Sequence, residues 1–283
     1  MANTFDTQLR RLEKVNRLRD LDDDELDLTT LEEHYPSQPL LRGVRVNMAC
    51  SLDGVIALDG RSQALSGKLD KVIFRFLRST ATAIVVGAGT AKAERYGPVA
   101  IATRFALHRA KIEGVAPSPP LVIIGTYREQ DLSWLERLRD PSNPTHIALY
   151  GMSSTRNLGE GLINDARDFD LQTPVPLVSH LLNNAPSPIL CEGGPGLLTT
   201  LINAGLVEEI CLSQSHLFAG RSSAVLFNDL DSGPIHVALQ ARLESTTHTF
   251  TRLTIEDRDP RRASERSTTL GDTPADPLAD TSI

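Results

Sequence analysis

Residues 190–205 read LCEGGPGLLTTLINAG and determine the fold class of the chain. A short apolar run ends at Cys191, a carboxylate and two glycines follow, and helical spacing begins after Pro195. Proline is favoured in the first turn of a helix, where its missing N–H costs nothing. The pattern predicts a buried strand that turns sharply into a helix. At the glycine pair the backbone must approach either another part of the protein or a phosphate-bearing ligand.

Residues 85–94, VVGAGTAKAE, repeat this order of strand, glycines and helix. Lys92 stands where the Rossmann fingerprint needs its third glycine, so the motif is not a standard dinucleotide fingerprint. A tight strand-to-helix turn alone would explain one such stretch. Two of them at the carboxyl ends of strands in one sheet can hold the two ends of a dinucleotide.

Strand and helix signals alternate through the middle of the chain. Strands are expected at 44–48, 83–86, 121–124, 146–150, 189–191 and 209–213, with helices at 66–77, 132–138, 175–182 and 194–203. After Gly220 two strands follow each other, at 236–243 and 249–255. The alternation predicts an α/β fold with a mainly parallel central sheet, helices on both faces and antiparallel C-terminal strands.

Both ends of the chain differ from this middle part. Residues 1–40 are highly charged and are expected to form an N-terminal extension lying on the domain at 41–256. Residues 257–283 have almost no apolar content, so we expect them to be disordered.

The composition indicates a soluble, cytoplasmic protein. Of 283 residues, 40% are hydrophobic and 23% are charged, and the net charge is −7, which argues against nucleic acid as the main partner. No signal peptide and no apolar run of roughly 20 residues is visible, so no membrane association is expected. The three cysteines are widely spaced and indicate reduced thiols. Walker-loop and zinc-ligand spacings are absent, and no metal is expected.

Two further groups of residues are candidates for a site. In SLDGVIALDG, residues 51–60, the Asp-Gly pairs indicate turns, yet Asn47, Ser51 and Asp53 also lie where a strand delivers its carboxyl end. Arg78 and Arg104 can be solvated cations, or they can form a fork for a phosphate or carboxylate.

Taken together, SLDG (51–54), LR (77–78), VVGAGT (85–90), CEGGPGLL (191–198) and AGLVEEICLSQSHLFAG (204–220) form an ordered series. The series resembles the reductase domain of bifunctional bacterial riboflavin-biosynthesis proteins, a pyrimidine reductase family with a dihydrofolate-reductase-like fold. The resemblance runs from about residue 43 to 255.

The resemblance implies an NADPH-dependent, homodimeric reductase with a three-layer fold. It implies hydride transfer to ribose C1′ of a ribosylamino-pyrimidine 5′-phosphate, of the 5-amino-6-(5-phosphoribosylamino)uracil type. The residues implied to contact substrate are Asn47, Ser62, Arg78, Arg104 and Glu192, with Asp53 and Glu192 as catalytic candidates. Those implied to contact the cofactor are Cys50, Ala64, Gly87, Gly89, Thr90, Glu94, Gly193, Gly194, Pro195, Gly196, Leu197 and Leu198. Thr126 and Arg128, after a strand, are candidates for the 2′-phosphate of the adenosine.

The chain departs from the family pattern at two places. Asn47 stands where many members carry lysine, and residues 94–98 replace the family's Asp-Asp-Pro. The series has no counterpart of the deaminase half of the bifunctional proteins, so a stand-alone reductase is expected. Two alternatives therefore stay open: reduction of another heterocycle such as dihydrofolate, or an NADPH-binding protein without turnover.

Overall fold

The structure, a computed structural model, describes residues 16–17, 26–37, 43–126, 132–150, 152, 157–164, 173–185, 188–220, 224–227, 230–231 and 233–256. The predicted tail at 257–283 and Arg128 lie outside this part of the chain. The strands are β1 (Asn16–Arg17), β2 (Val44–Cys50), β3 (Ala83–Gly87), β4 (Leu121–Thr126), β5 (Thr145–Tyr150), β6 (Leu162–Asn164), β7 (Ile189–Cys191), β8 (Val207–Ser215), β9 (Val237–Glu244) and β10 (His248–Ile255). The α-helices are α1 (Leu28–His34), α2 (Lys68–Thr80), α3 (Ala88–Ala93), α4 (Thr103–Arg109), α5 (Val175–Asn183) and α6 (Pro195–Asn203).

The described strands form one sheet in the order β1-β9-β10-β8-β2-β7-β3-β4-β5-β6. From β8 to β6 all neighbouring strands are parallel, whereas β10 is antiparallel to both β8 and β9. The mainly parallel sheet and the antiparallel C-terminal strands are therefore confirmed.

Apolar side chains cover both faces of the sheet, because successive residues of a strand point to opposite sides. In β3, Ile84 and Val86 join a core cluster with α1, α2 and α4, whereas Ala83 and Val85 join a second cluster with α5 and α6. Helices on both sides of a central sheet give the expected three layers.

The segment before β2 is built into the first of these clusters. Leu26, Leu31 and Tyr35 are buried in it. The guanidinium groups of Arg45 and Arg252 donate to the backbone oxygens of Pro36 and His34, at 2.8 and 2.6 Å. Residues 26–37 therefore form part of the core of the fold.

Several elements differ from the expectations. Ser133–Leu138 is a 3-10 helix where the spacing predicts an α-helix, and α4 and β6 had no clear signal. The strands at 236–243 and 249–255 are confirmed within one residue at each end. In the described part of the chain, no helix is long and apolar enough to cross a membrane.

Candidate active site

Two adjoining cavities lie at the carboxyl ends of the central strands. The larger cavity, of about 490 Å³, includes Asn47, Ser62, Arg78, Glu94, Tyr96 and Glu192 in its wall. The smaller cavity, of about 350 Å³, includes Gly87, Gly89, Thr126, Gly196 and Leu197. Ligands of open α/β sheets bind at this edge, and both volumes lie within the usual range for small-molecule sites.

The two cavities share part of their wall. Thr90, Gly194 and Pro195 line both. The two glycine turns of the sequence therefore lie side by side, and molecules in the two cavities would meet at this shared wall.

Three glycines of these turns are required because the turns pack closely against the protein. A Cβ atom on Gly194 would lie 2.3 Å from Thr90 Oγ1, and one on Gly193, whose φ is +83°, would lie 2.8 Å from Met48 Sδ. A Cβ on Gly87 would lie 3.2 Å from the nitrogen of Gly194. The close approach of the two turns explains Gly87 and Gly194, and packing against Met48 of β2 explains Gly193, in each case without any ligand.

Two other glycines face the smaller cavity. A Cβ atom on Gly89 or Gly196 would meet no atom within 4 Å. Helix α6 begins at Pro195 after Gly194, whose lack of a side chain leaves the first N–H groups uncapped. Uncapped N–H groups at the start of a helix attract anions, so this wall can accept a phosphate-bearing molecule.

Glu192 is held by two partners in the wall of the larger cavity. Arg78 donates from Nε and Nη2 to the two carboxylate oxygens, at 2.6 and 2.8 Å, and the Tyr96 hydroxyl donates to Oε2 at 2.7 Å. Burial disfavours the charged guanidinium, but Glu192 outweighs this effect and raises the pKa of Arg78. Burial and the Glu192 charge raise the pKa of Tyr96 well above its usual range.

The Arg78 guanidinium also stacks on aromatic rings, since its Cζ lies 4.2 Å from the Phe74 ring centre and 5.4 Å from that of Tyr96. Such contacts add to the fixed orientation of the pair. Arg78 thus lines the cavity as one half of an ion pair. Two of its nitrogens donate to Glu192, so its guanidinium has fewer N–H groups for a phosphate than the sequence suggests.

Asp53 pins two loops together and is not among the residues lining either cavity. Its carboxylate accepts hydrogen bonds from Ser51 Oγ at 2.5 Å, Ala219 N at 3.0 Å and Gly220 N at 2.8 Å. The Ser51 bond and then these backbone bonds lower the pKa of Asp53 to about 2. The structure gives Asp53 the role of a loop anchor, in contrast to the catalytic role implied by the resemblance.

Arg104 also lies away from the cavity walls. Its Nη2 donates to the backbone oxygen of Leu26 at 2.7 Å, and its guanidinium lies over the Phe105 ring. Of the two arginines of the predicted phosphate fork, Arg78 lines the larger cavity and Arg104 is not among the residues that line either cavity.

The remaining predicted residues divide by their placement. The wall of the larger cavity contains Asn47, Ser62, Glu94 and Glu192. Within this wall, the Ser62 N–H donates to Glu94 Oε1 at 2.6 Å. The wall of the smaller cavity contains Gly87, Gly89, Thr126, Gly196 and Leu197. Three residues line both cavities: Thr90, Gly194 and Pro195. Outside both walls lie Cys50, Ala64, Gly193 and Leu198. Cys50 and Leu198 are buried in the core, and burial, with a smaller contribution from Asp53, raises the pKa of the Cys50 thiol to about 11.

The sequence did not single out Tyr96, Asp70 or Lys71, which line the larger cavity. Asp70 had a usable sequence signal, because it is a carboxylate among the apolar positions of α2. The structure shows that it is buried. Tyr96 follows α3 in an irregular segment, where no periodicity points to its partner 96 residues away.

Comparisons with known proteins agree with the motifs. Residues 42–254 match the family described as RibD C-terminal domain. A 2,5-diamino-6-ribosylamino-4(3H)-pyrimidinone 5′-phosphate reductase of Archaeoglobus fulgidus is 27% identical over 184 residues, which cover 62% of this chain and 81% of that protein.

Two solved structures share the fold. A pyrimidine reductase-like protein of Corynebacterium diphtheriae has a TM-score of 0.62 at 21% identity, covering 81% of this chain and 99% of the other. RibD of Acinetobacter baumannii has a TM-score of 0.58 at 22% identity, covering 78% of this chain and 59% of the other. The resemblance found from the motifs is thereby confirmed.

Proposed function

The chain belongs to the RibD C-terminal domain family, and from this premise we propose that it is an NADPH-dependent pyrimidine reductase of riboflavin biosynthesis. The observation that carries the proposal is the shared wall of Thr90, Gly194 and Pro195 between the two cavities. A hydride donor and its acceptor must lie in contact, and two cavities that meet at one wall meet this requirement.

The smaller cavity is the proposed site of the dinucleotide. Gly89 and Gly196 leave space that a side chain would fill, and the uncapped start of α6 offers N–H groups to a phosphate. Thr126, at the end of β4, is the proposed donor to the 2′-phosphate of NADPH. The bound cofactor would supply the hydride, and these residues would hold it in place.

The larger cavity is the proposed site of the ribosylamino-pyrimidine 5′-phosphate. The substrate gains a hydride at ribose C1′ and a proton on the ring oxygen, and the C1′–O bond of the sugar ring breaks to leave a ribityl chain. We propose that Glu192, fixed by Arg78 and Tyr96, orients the substrate. Arg104 is not in this wall and donates to Leu26. We therefore propose that the ammonium group of Lys71 binds the 5′-phosphate.

The test is oxidation of NADPH by the purified full chain. With the ribosylamino-pyrimidine 5′-phosphate present, the absorbance of the reduced nicotinamide should fall in proportion to substrate. NADPH binding without turnover of this substrate or of dihydrofolate would instead favour a binding protein. Absence of NADPH binding would overturn the proposal.

A second candidate is reduction of another heterocycle such as dihydrofolate. The observation that favours it is the incomplete phosphate fork, since Arg78 is paired with Glu192 and Arg104 donates to Leu26. In the same assay, turnover of dihydrofolate but not of the phosphorylated pyrimidine would select this alternative.

The partners and the compartment are also proposals. We propose a homodimer in the cytoplasm, supported by the exposed apolar side chains of Val237 and Leu239 on β9 and by three buried cysteines that are not disulfide-bonded. Burial raises the pKa of Cys191 and Cys211 to about 12, which keeps these thiols unreactive.

A further inference from the structure

The turn at the end of α3 connects two parts of the larger cavity's wall. Oε1 of Glu94 accepts a hydrogen bond from the N–H of Ser62 at 2.6 Å. Two residues later, the Tyr96 hydroxyl donates to Glu192, the residue after β7, at 2.7 Å. All four residues line the larger cavity. The turn at residues 94–96 therefore joins the segment around Ser62 to the central sheet.

Arg95, between these two side chains, has an unusual backbone conformation. Its φ is +56°, in the left-handed region that residues other than glycine rarely adopt. The conformation closes the end of the helix, because the N–H of Tyr96 donates to the backbone oxygen of Ala91 at 2.9 Å. An unfavourable conformation of this kind persists where surrounding contacts determine it, and such residues cluster at functional sites. The bonds of Glu94 and Tyr96 are contacts that fix this turn.

The segment that Glu94 holds is a short hairpin with little packing of its own. The hairpin at 58–61 is closed by two backbone hydrogen bonds, at 2.9 and 3.0 Å, and both of its central residues have positive φ. Positive φ at both positions is typical of a tight type I′ turn. The structure describes every residue of the range 57–64, and none of them is buried. Gly60 and Ser62 line the larger cavity, so the bond to Glu94 holds the hairpin at this wall.

Helix α3 also contributes to the wall that the two cavities share. Thr90 lies in that wall, and the N–H of Glu94 donates to the Thr90 backbone oxygen at 2.9 Å. A molecule in the smaller cavity therefore contacts the same short helix whose end holds the hairpin. Glu94 itself lines the larger cavity and is not among the residues that line the smaller one.

We infer that Glu94 is a positioning residue of the reductase. By accepting from the Ser62 N–H, it holds the hairpin at 58–61 against the larger cavity, and the hairpin holds the substrate against the shared wall. This role replaces the cofactor contact expected from the sequence, because Glu94 acts through Ser62 on the substrate side. The inference rests on the proposed function, since it assigns the substrate to the larger cavity.

The first test is amide hydrogen exchange of Ser62 in the full chain, measured by NMR without any ligand. In Glu94→Ala, we expect this amide to exchange about tenfold faster, the ratio that one hydrogen bond to a charged group gives. Glu94→Gln keeps an oxygen acceptor and should retain most of the protection. The matched control is Glu113→Ala, which removes an exposed carboxylate outside both walls and should leave the Ser62 amide unchanged.

The second test is steady-state turnover of the ribosylamino-pyrimidine 5′-phosphate with saturating NADPH. Glu94→Ala should raise KM for this substrate by about three- to tenfold and leave kcat nearly unchanged, because the hairpin holds the ground state and the transition state alike. Glu94→Gln should restore KM to near the wild-type value, and Glu113→Ala should match the wild type. The affinity for NADPH alone, measured by calorimetry, should be nearly equal in all of these chains.

The third test removes the donor of the same bond. Ser62→Pro has no backbone N–H, and proline suits this position because the φ of Ser62 is −80°. Adding Glu94→Ala to Ser62→Pro should then raise KM no further, since both substitutions remove one and the same interaction.

Three outcomes would overturn the inference. They are equal Ser62 exchange in the wild type and Glu94→Ala, a KM that Glu94→Gln does not restore, and an effect of Glu94→Ala that persists in Ser62→Pro. A loss of NADPH affinity as large as the rise in KM would also overturn it, because Glu94 would then contact the cofactor. Absence of turnover by the wild-type chain overturns the proposed function and the positioning role with it. Ser62 exchange, measured without ligand, still shows in that case whether Glu94 holds the hairpin.

Discussion

At the scale of single residues, the glycines of the two turns divide by what a Cβ atom would meet. A Cβ atom on Gly194 would lie 2.3 Å from Thr90 Oγ1, whereas one on Gly196, in the first turn of α6, would enter open space in the smaller cavity. One glycine therefore serves packing and the other leaves room for a ligand. Substitution by alanine separates these roles.

We expect Gly196→Ala to weaken NADPH binding by about tenfold, or ~1.4 kcal/mol, because its methyl group occupies cavity space. Its thermal stability should stay equal or rise, since alanine replaces glycine in a helix. Calorimetric titration and thermal unfolding measure the two effects.

The matched control is Gly194→Ala, in which Thr90 must move. We expect its unfolding free energy to fall by about 1–3 kcal/mol, as for an overpacked site, and to recover when Thr90→Ala is added. If Gly196→Ala lost as much stability as Gly194→Ala, the division of the two glycines would be wrong.

Asp53 makes the stability of the protein depend on acid. Its pKa falls from 3.8 to about 2 in the folded state, so its ionised form stabilises the fold above pH 4, and this contribution is lost as pH falls toward 2. Asp53→Asn should therefore be less stable than wild type at neutral pH, and the difference should shrink between pH 4 and 2. Urea unfolding across this range measures it, and a constant difference would contradict the assigned loop anchor.

At the scale of secondary structure, α1 is a short helix that packs on the core through Leu31. Leu31 is fully buried in the cluster with α2 and α4, whereas Leu28 on the same helix is 36% exposed. Arg45 and Arg252 hold the chain that follows α1 by its backbone oxygens. The helix therefore closes one face of the sheet.

We expect Leu31→Ala to lower the unfolding free energy by about 2–5 kcal/mol, the usual cost of truncating a buried leucine. Leu28→Ala is the matched control. The Leu28 side chain is 36% exposed and contributes less buried area, so this variant should lose less than about 1 kcal/mol of unfolding free energy. Equal losses in urea unfolding would show that α1 contributes no specific packing.

The central strands were predictable and the contacts between distant segments were not. Runs such as Ala83–Gly87 and Leu121–Thr126 are apolar throughout, which is typical of strands buried on both faces. The burial of residues 26–37 depends on contacts with distant parts of the chain, such as the hydrogen bond from Arg104 to Leu26, 78 residues away. Hydrophobic periodicity reports only local structure, so a single sequence does not indicate such contacts. In the site, glycine spacing located both turns, but which glycine faces the cavity depends on a neighbour such as Thr90.

At the scale of the whole molecule, the antiparallel end of the sheet carries an apolar patch. Val237 and Leu239 are 41% and 36% exposed and pair with Ile255 and Leu253 of β10. Cross-strand partners share a face, so these four residues form one continuous surface. Apolar patches of this kind mark interaction sites, which supports the proposed homodimer.

We expect the wild-type chain to sediment at about twice its 30.9 kDa mass, and Leu239→Glu to sediment as a monomer. Burying an unpaired carboxylate in an apolar interface is unfavourable. Leu107→Glu is the control, because Leu107 is 79% exposed on α4, away from these strands. A monomeric wild type, or equal dissociation by both variants, would contradict this interface.

The shared wall of Thr90, Gly194 and Pro195 also has a consequence for inhibitor design. Two weak fragments, one for each cavity, can be joined by a short linker that passes over this wall. Once one fragment is bound, the other is held at a high effective concentration, so the joined compound can bind about 10²–10⁴-fold more tightly than either part. Selectivity would then come from the pair of cavities, since a protein with a dinucleotide site alone would hold only one half.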